Sequence, residues 1–113
     1  MMMQSNYFNL SFKNPVIAAS GTFGFGQEYK AYYNPSILGG ISAKGITLEA
    51  RRGNSGIRIT ETAGGVMNSI GLENPGVESF LADELQQMSN IDTVKIANLG
   101  GSTLETYIEG ARL

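Results

Sequence analysis

Three short apolar runs each stop at a polar residue beside glycine, and this repetition restricts the fold more than any other feature of the chain. They are "PVIAAS" (residues 15–20), which runs into Gly21, "ISAKGI" (41–46), which contains Lys44-Gly45, and "TVKIANL" (93–99), which contains Asn98 and runs into Gly100-Gly101. Runs of this length bounded by turn-formers read as buried strands. Helical patterns separate them. Val77, Phe80, Leu81, Leu85 and Met88 recur at helical spacing, giving an amphipathic helix over about 76–89, with Asn74-Pro75 as N-cap and first-turn proline. Leu104, Tyr107, Ile108 and Ala111 give a last helix, which Ser102 and Glu105 open as a capping box. A shorter helix is expected over 27–34, where Tyr29, Tyr32 and Tyr33 share a face, and "GIRITET" (56–62) alternates like half of a hairpin. The order is β-α-β-(hairpin)-α-β-α. Strands that alternate with helices argue an α/β fold with a parallel sheet.

A parallel sheet is buried on both faces and is seldom built from three strands alone. Two architectures remain: a small three-stranded α/β domain, or the amino-terminal part of a larger barrel. The second is expected, because strand–helix alternation breaks off and the last helix meets no glycine or proline stop before Leu113.

In parallel α/β folds ligands bind at the carboxyl ends of strands. Ser20, Lys44 and Asn98 occupy such ends, and Gly45 lies beside Lys44. Each also has an ordinary reading. Ser20 and Asn98 suit turns, and Lys44 at a strand end can run its stem along apolar surface to water. The ligand reading rests on the threefold repetition and on glycine. The chain has 15 glycines in 113 residues, roughly twice the usual share, and glycine lets a backbone approach a ligand closely. "MNSIGLENPG" (67–76) raises the same question, because it sets Met67, Ile70 and Leu72 among turn-formers. A solvated loop has little use for them, whereas a loop lying over a flat, polar-edged ligand does.

Composition removes several chemistries. The chain has no Cys and no His, so it holds no disulfide, no thiolate metal site, no Cys nucleophile and no histidine base. A formal charge of −2 gives no electrostatic case for nucleic acid or an anionic membrane. No run of 18 apolar residues is present, and "MMMQSNYF" lacks a secretory leader pattern. A cytoplasmic location is expected. The ten carboxylates form no convincing acid/base pair or metal set. "SGTFGFG" (20–26) matches neither G-x-G-x-x-G nor a P-loop.

Taken in order and spacing, "NPVIAASGTFGFGQEY", "AKGIT", "ETAGGVMNSIGLENPG" and "IANLGGS" resemble the amino-terminal third of dihydroorotate dehydrogenase catalytic subunits. "SGTFGFG" followed by "QEY" is most similar to the branch linked to NAD through an iron–sulfur flavoprotein. The resemblance covers nearly the whole chain. It implies about three strands of a (β/α)8 barrel, with FMN over the strands' carboxyl ends, and oxidation of dihydroorotate to orotate in pyrimidine biosynthesis. A base removes one proton and the flavin takes a hydride. Ser20, Lys44, Gly45 and Asn98 are then FMN contacts. Lys44 also faces the substrate, together with Asn68, Ser69, Ile70, Gly71 and Leu72. Asn68 would offer its amide to the pyrimidine edge. The backbone N–H groups of Ser69, Ile70, Gly71 and Leu72 would face the substrate carboxylate, and Ile70 and Leu72 would shield it. NAD, FAD and an iron–sulfur cluster would belong to a partner subunit on a homodimer.

The family's base, a cysteine in this branch, lies in a motif expected beyond Leu113, so no catalytic base is assigned within residues 1–113. "NYFNLSFKNP" resembles only part of the family's amino-terminal hairpin. Residues 1–113 alone are therefore expected to be an inactive fragment that binds no FMN stoichiometrically and aggregates through open edges. The alternatives are a non-catalytic α/β binding module and a related flavin barrel acting on other pyrimidines. "SGTFGFG" argues against the second of these.

Overall fold

The structure is a computed structural model and describes residues 4–113. The chain opens with an antiparallel hairpin, β1 (Ser5–Tyr7) and β2 (Leu10–Phe12), in which Ser5 pairs with Phe12. Phe8 and Asn9 form its two-residue turn, both at positive φ, which matches the twist of the flanking strands.

The three apolar runs supply a parallel sheet in the order β3 (Ile17–Ala18), β4 (Gly40–Ser42), β8 (Val94–Ile96). Ile17 pairs with Gly40, and Ile41 with Lys95. The second and third runs are not continuous strands as expected. Each breaks and resumes, as β5 (Ile46–Thr47) and β9 (Leu99–Gly100), which pair in parallel with Ile46 opposite Leu99. The cause is a change of hydrogen-bond partner. Ala43 N–H donates to the Ile96 carbonyl at 2.9 Å, but Lys44 N–H turns to the Gly24 carbonyl at 3.0 Å, and Ile46 N–H rejoins the neighbouring strand at the Asn98 carbonyl, 2.9 Å. Lys44, Gly45 and Asn98 all sit in these breaks.

Between β5 and the next helix, residues 48–76 leave the sheet. At their tip is an antiparallel hairpin, β6 (Ile59–Thr62) and β7 (Gly65–Asn68), with Ile59 opposite Asn68. The helix that follows, α1, covers 77–88. It is α-helical at Val77–Ser79 and Leu85–Met88, with a π-helical stretch at Phe80–Glu84. Its N-cap is Gly76, not Asn74 as the sequence suggested. Asn74 is instead buried and bonded to β5, as described below. Gly76 has φ 83° and ψ 164°, a region essentially restricted to glycine. A Cβ there would also lie 2.7 Å from the Ala50 backbone nitrogen. Gly76→Ala is therefore expected to lower stability by at least about 1–3 kcal/mol. An unshifted urea midpoint would contradict this account of the turn.

The last helix, α2 (Leu104–Arg112), is capped one residue later than expected. Thr103 and Thr106 form the reciprocal capping box, and the hydroxyl of Ser102 instead accepts from Arg51 Nη2 at 2.6 Å. Glu105 stays in the first turn. Its carboxyl is held below the usual range by its own backbone N–H and then by the Thr103 hydroxyl. Leu104, Tyr107 and Ile108, the predicted apolar stripe, are all exposed. No helix among the described residues is long and apolar enough to cross a membrane.

The core lies around the sheet and α1. Phe23, Phe25, Ile41, Ala43, Ile46, Phe80, Met88 and Ile91 are buried in one cluster. The phenylalanines of "SGTFGFG" are thus packing residues. Phe25 meets Phe80 at 5.7 Å between ring centroids, and Phe23 stacks on Tyr29 at 4.2 Å. That stack replaces the helix expected over 27–34. Tyr29 is held on Phe23 with its hydroxyl donating to the Thr22 carbonyl at 2.8 Å. Only single 3-10 turns form, Gln27–Tyr29 and Pro35–Ile37. Pro35 also disfavours helical backbone at Asn34, which is extended at ψ 109°.

Candidate functional site at the strand ends

Ser20, Gly45 and Asn98 meet just beyond β3, β4 and β8. Ser20 Oγ donates to the Ala43 carbonyl at 2.7 Å and accepts from Asn98 Nδ2 at 2.8 Å. Asn98 is exposed, Ser20 is half-buried and Gly45 is buried. The Asn98 amide therefore keeps its oxygen and one N–H without a protein partner among the described residues. Lys44 is half-buried, and no carboxylate lies within ion-pair distance of it among the described residues. A cation part-way out of water with no anion of its own is suited to a ligand's negative charge.

The arm over residues 48–76 brings Leu72, one of the second group of predicted residues, to this place. Its outgoing limb, 51–58, pairs with its returning limb, 69–74. Arg51 and Asn74 exchange backbone hydrogen bonds, both 2.9 Å, Asn54 N–H donates to the Ile70 carbonyl at 2.9 Å, and Ser69 N–H donates to the Arg58 carbonyl at 2.8 Å. Arg58 Nη1 pairs with Glu73 Oε2 at 2.7 Å. The returning limb then crosses the strand ends. A Cβ added to Gly45 would lie 3.0 Å from Leu72 Cδ1 and 3.5 Å from Asn98 Nδ2. Leu72 Cδ2 likewise lies 3.7 Å from where a Cβ of Gly100 would be. Gly45 leaves room for the loop where a side chain would crowd it, whereas a Cβ at Gly100 would make only ordinary van der Waals contact.

Gly71 and Leu72 both have left-handed backbone, φ 78° and 55°. For leucine this is uncommon and costs roughly 1–2 kcal/mol, so the surroundings must impose it. Asn74 does so from below. Its Oδ1 accepts from Thr47 N–H and Gly76 N–H, both at 3.0 Å, and its Nδ2 donates to the Leu72 carbonyl at 2.8 Å and to Thr47 Oγ1 at 3.0 Å. In this conformation the amides of Ile70, Gly71 and Leu72 have no protein acceptor among the described residues. Ser69 departs from expectation, because its N–H is spent on Arg58 and is not free for a ligand.

Ser20, Gly45, Leu72 and Asn98 are therefore in contact or one bond apart, with Lys44 next in chain to Gly45. Asn68, Ser69, Ile70 and Gly71 lie farther along the same limb, Asn68 as the last residue of β7. Asn54 and Asn74, which hold the limb, were not singled out as site residues from the sequence. Asn74 was read as a helix cap, and "RRGNSG" around Asn54 carries no periodic signal. Among the described residues, no cluster of three or more carboxylate, histidine or cysteine side chains is placed to hold a metal ion.

Comparison with known proteins places the chain in a family. The family model described as "Dihydroorotate dehydrogenase" matches residues 2–113. A protein of Petrotoga mobilis named "Dihydroorotate dehydrogenase B (NAD(+)), catalytic subunit" is 55% identical over 103 residues, covering 91% of this chain and 34% of that protein. A protein of the same name from Caldicellulosiruptor saccharolyticus is 49% identical over 109 residues, covering 96% of this chain and 36% of the relative. The chain thus spans about a third of the length of these curated relatives. A crystal structure of DHODH from Eimeria tenella in complex with ferulenol superposes with a TM-score of 0.69 at 21% identity, over 96% of this chain and 32% of that one. This shows a shared α/β fold. With a family match over nearly all of its length, the chain belongs to the dihydroorotate dehydrogenase family.

Proposed function

We propose that this chain supplies the first strands and the substrate loop of an FMN-dependent (β/α)8 barrel that oxidises dihydroorotate to orotate in pyrimidine biosynthesis. The observation that carries the proposal is the placement of Leu72 across Gly45 and beside Asn98, with the adjoining amides of Ile70 and Gly71 unpaired. It sets one loop with free donors against a second group of free polar atoms at strand ends. A planar ligand with a carboxylate, lying against a planar cofactor, needs that arrangement.

The residues present fit the cofactor. Ser20 and the spare amide groups of Asn98 offer polar contacts, Gly45 leaves room for close approach, and Lys44 brings an uncompensated charge. When bound, FMN supplies hydride acceptance. Lys44 stabilises negative charge that develops during the reaction. Asn68 binds the pyrimidine edge, the amides of Ile70, Gly71 and Leu72 bind the substrate carboxylate, and the Ile70 and Leu72 side chains keep water away. The base is expected from outside residues 1–113, as a cysteine, a residue type these lack. The exposed stripe of Leu104, Tyr107 and Ile108 supports a barrel in which further elements cover α2. The relatives' printed names, a catalytic subunit of an NAD(+) enzyme, support a partner subunit and a link to NAD(+); on the family resemblance alone, the complete protein is a cytoplasmic homodimer whose partner subunit carries FAD and an iron–sulfur cluster.

The test uses the complete flavoprotein. Dihydroorotate should bleach the flavin under anaerobic conditions. Asn68→Ala should weaken orotate binding by about 1–3 kcal/mol, because a polar group of the ligand loses its partner in a dry site, and it should leave FMN content unchanged. Loss of FMN with orotate affinity intact would mean that the loop serves a different ligand.

A further inference from the structure

We propose that Asn54 is a positioning residue for the substrate loop: it clamps Ser69 and Ile70 so that the amides of Ile70, Gly71 and Leu72 present to the ligand's carboxylate. This inference rests on the reading of residues 68–72 as the substrate loop. Three contacts converge on it. Asn54 Nδ2 donates to the Ser69 carbonyl at 3.0 Å and to Ser69 Oγ at 2.9 Å. Its backbone N–H donates to the Ile70 carbonyl at 2.9 Å. Its side chain also fills the space beside Gly71, where an added Cβ would come within 2.6 Å of Asn54 Oδ1. One residue on the outgoing limb thus touches three consecutive residues of the returning limb, Ser69, Ile70 and Gly71, the last of which opens the left-handed pair Gly71 and Leu72.

Burial separates this role from a general structural one. Asn74 holds the other end of the loop from a buried position, where its loss would unsettle the whole domain. Asn54 is exposed, and its bonds run only to the loop. Hydrogen bonds of exposed groups exchange readily for water and add little to global stability. What they fix is direction. With the Ile70 carbonyl tied to Asn54 and the Leu72 carbonyl tied to Asn74, the intervening peptide units are restrained from both sides, and their N–H groups have no protein acceptor among the described residues. Without the Asn54 side chain, Ser69 is held only by its N–H bond to Arg58, and the loop gains freedom that ligand binding must remove.

The experiment compares Asn54→Ala and the isosteric Asn54→Asp with the parent and with Asn68→Ala, all as complete flavoproteins. Asp keeps the shape but loses both amide donors. Both Asn54 variants should bind orotate about five- to twentyfold more weakly and raise KM for dihydroorotate by a similar factor. FMN content should be unchanged, and kcat at saturating substrate should stay within about twofold. Amide hydrogen exchange at Ser69 and at position 54, whose N–H groups bond across the limbs to Arg58 and Ile70, should be faster than in the parent without ligand and should return to the parent's rate with saturating orotate. Orotate affinity within twofold of the parent in either variant would overturn the inference. So would a parallel loss of FMN and melting temperature, which would mark Asn54 as merely structural. Should Asn68→Ala weaken orotate while the Asn54 variants do not, only the positioning role falls. If none of the three weakens it, the substrate-loop reading falls as well.

Discussion

Replacing Lys44 with alanine slows flavin reduction by dihydroorotate by roughly 10²–10³-fold in the complete enzyme, the usual cost of removing one preorganised charge stabiliser. The expectation follows from where the fold leaves this side chain. Its backbone is fixed on both sides of the strand break, by Ala43 on Ile96, by its own N–H on Gly24 and by Ile46 on Asn98. Its side chain is half-buried and lacks an internal anion among the described residues. The other lysines read differently. Lys13 is tied to Asp92, Lys95 Nζ donates to the Ile91 and Thr93 carbonyls, and Lys30 is exposed. Stopped-flow bleaching of the bound flavin measures the effect. Lys44→Arg should retain part of the rate, since charge survives while shape changes. A Lys44→Ala rate within twofold of the parent would remove Lys44 from the site.

The second large effect is on stability. Asn74→Ala deprives the Thr47 N–H, the Gly76 N–H and the Leu72 carbonyl of their partner. A buried polar group left unsatisfied costs about 1–3 kcal/mol. Allowing for partial relaxation, a loss of about 3 kcal/mol or more is expected from urea unfolding of the complete protein. Asn74→Asp keeps an acceptor for the two N–H groups but cannot donate to Leu72 unless protonated, so it should fall between alanine and the parent. A loss below about 1 kcal/mol for Asn74→Ala would mean that the amide is not the fastener between β5 and the loop.

Much of the fold was legible because hydrophobic period and strand length carry it. β3 and β8 lie inside the runs 15–20 and 93–99, β4 starts one residue ahead of the run 41–46, and α1 and α2 fall within a residue or two of their expected bounds. The failures have local causes. The strand breaks at Lys44 and Asn98 come from hydrogen bonds to neighbouring segments, which no run of apolar residues encodes. The helix expected at 27–34 lost to a tertiary contact, the stack of Tyr29 on Phe23. Asn74 looked like a cap because Asn-Pro before a helix is a cap pattern, yet its amide had a stronger use 27 residues back in the chain.

The candidate site was half legible. Strand-end logic pointed to Ser20, Lys44 and Asn98, and three of the expected residues, Ser20, Gly45 and Asn98, do meet there. The loop over 68–72 was conspicuous for its apolar residues among turn-formers, and Leu72 reaches the same place. What the sequence could not convey is how the loop is held. Asn54 acts across 15 residues and the Arg58–Glu73 pair across the same distance, so both depend on a hairpin whose register is set elsewhere. The Ser69 amide was misassigned for the same reason, because its partner Arg58 lies on the opposite limb.

The loop 68–72 and the strand-end group Ser20, Lys44, Gly45 and Asn98 are proposed to serve one pair of stacked ligands. A crystal structure of the complete flavoprotein with orotate bound tests it most directly. The account predicts orotate's carboxylate within hydrogen-bonding distance, about 2.7–3.2 Å, of the amides among Ile70, Gly71 and Leu72, with the flavin on the Ser20, Gly45 and Asn98 side and Lys44 Nζ reaching both. Orotate bound elsewhere, or a flavin that leaves Ser20 and Asn98 facing solvent, would contradict it.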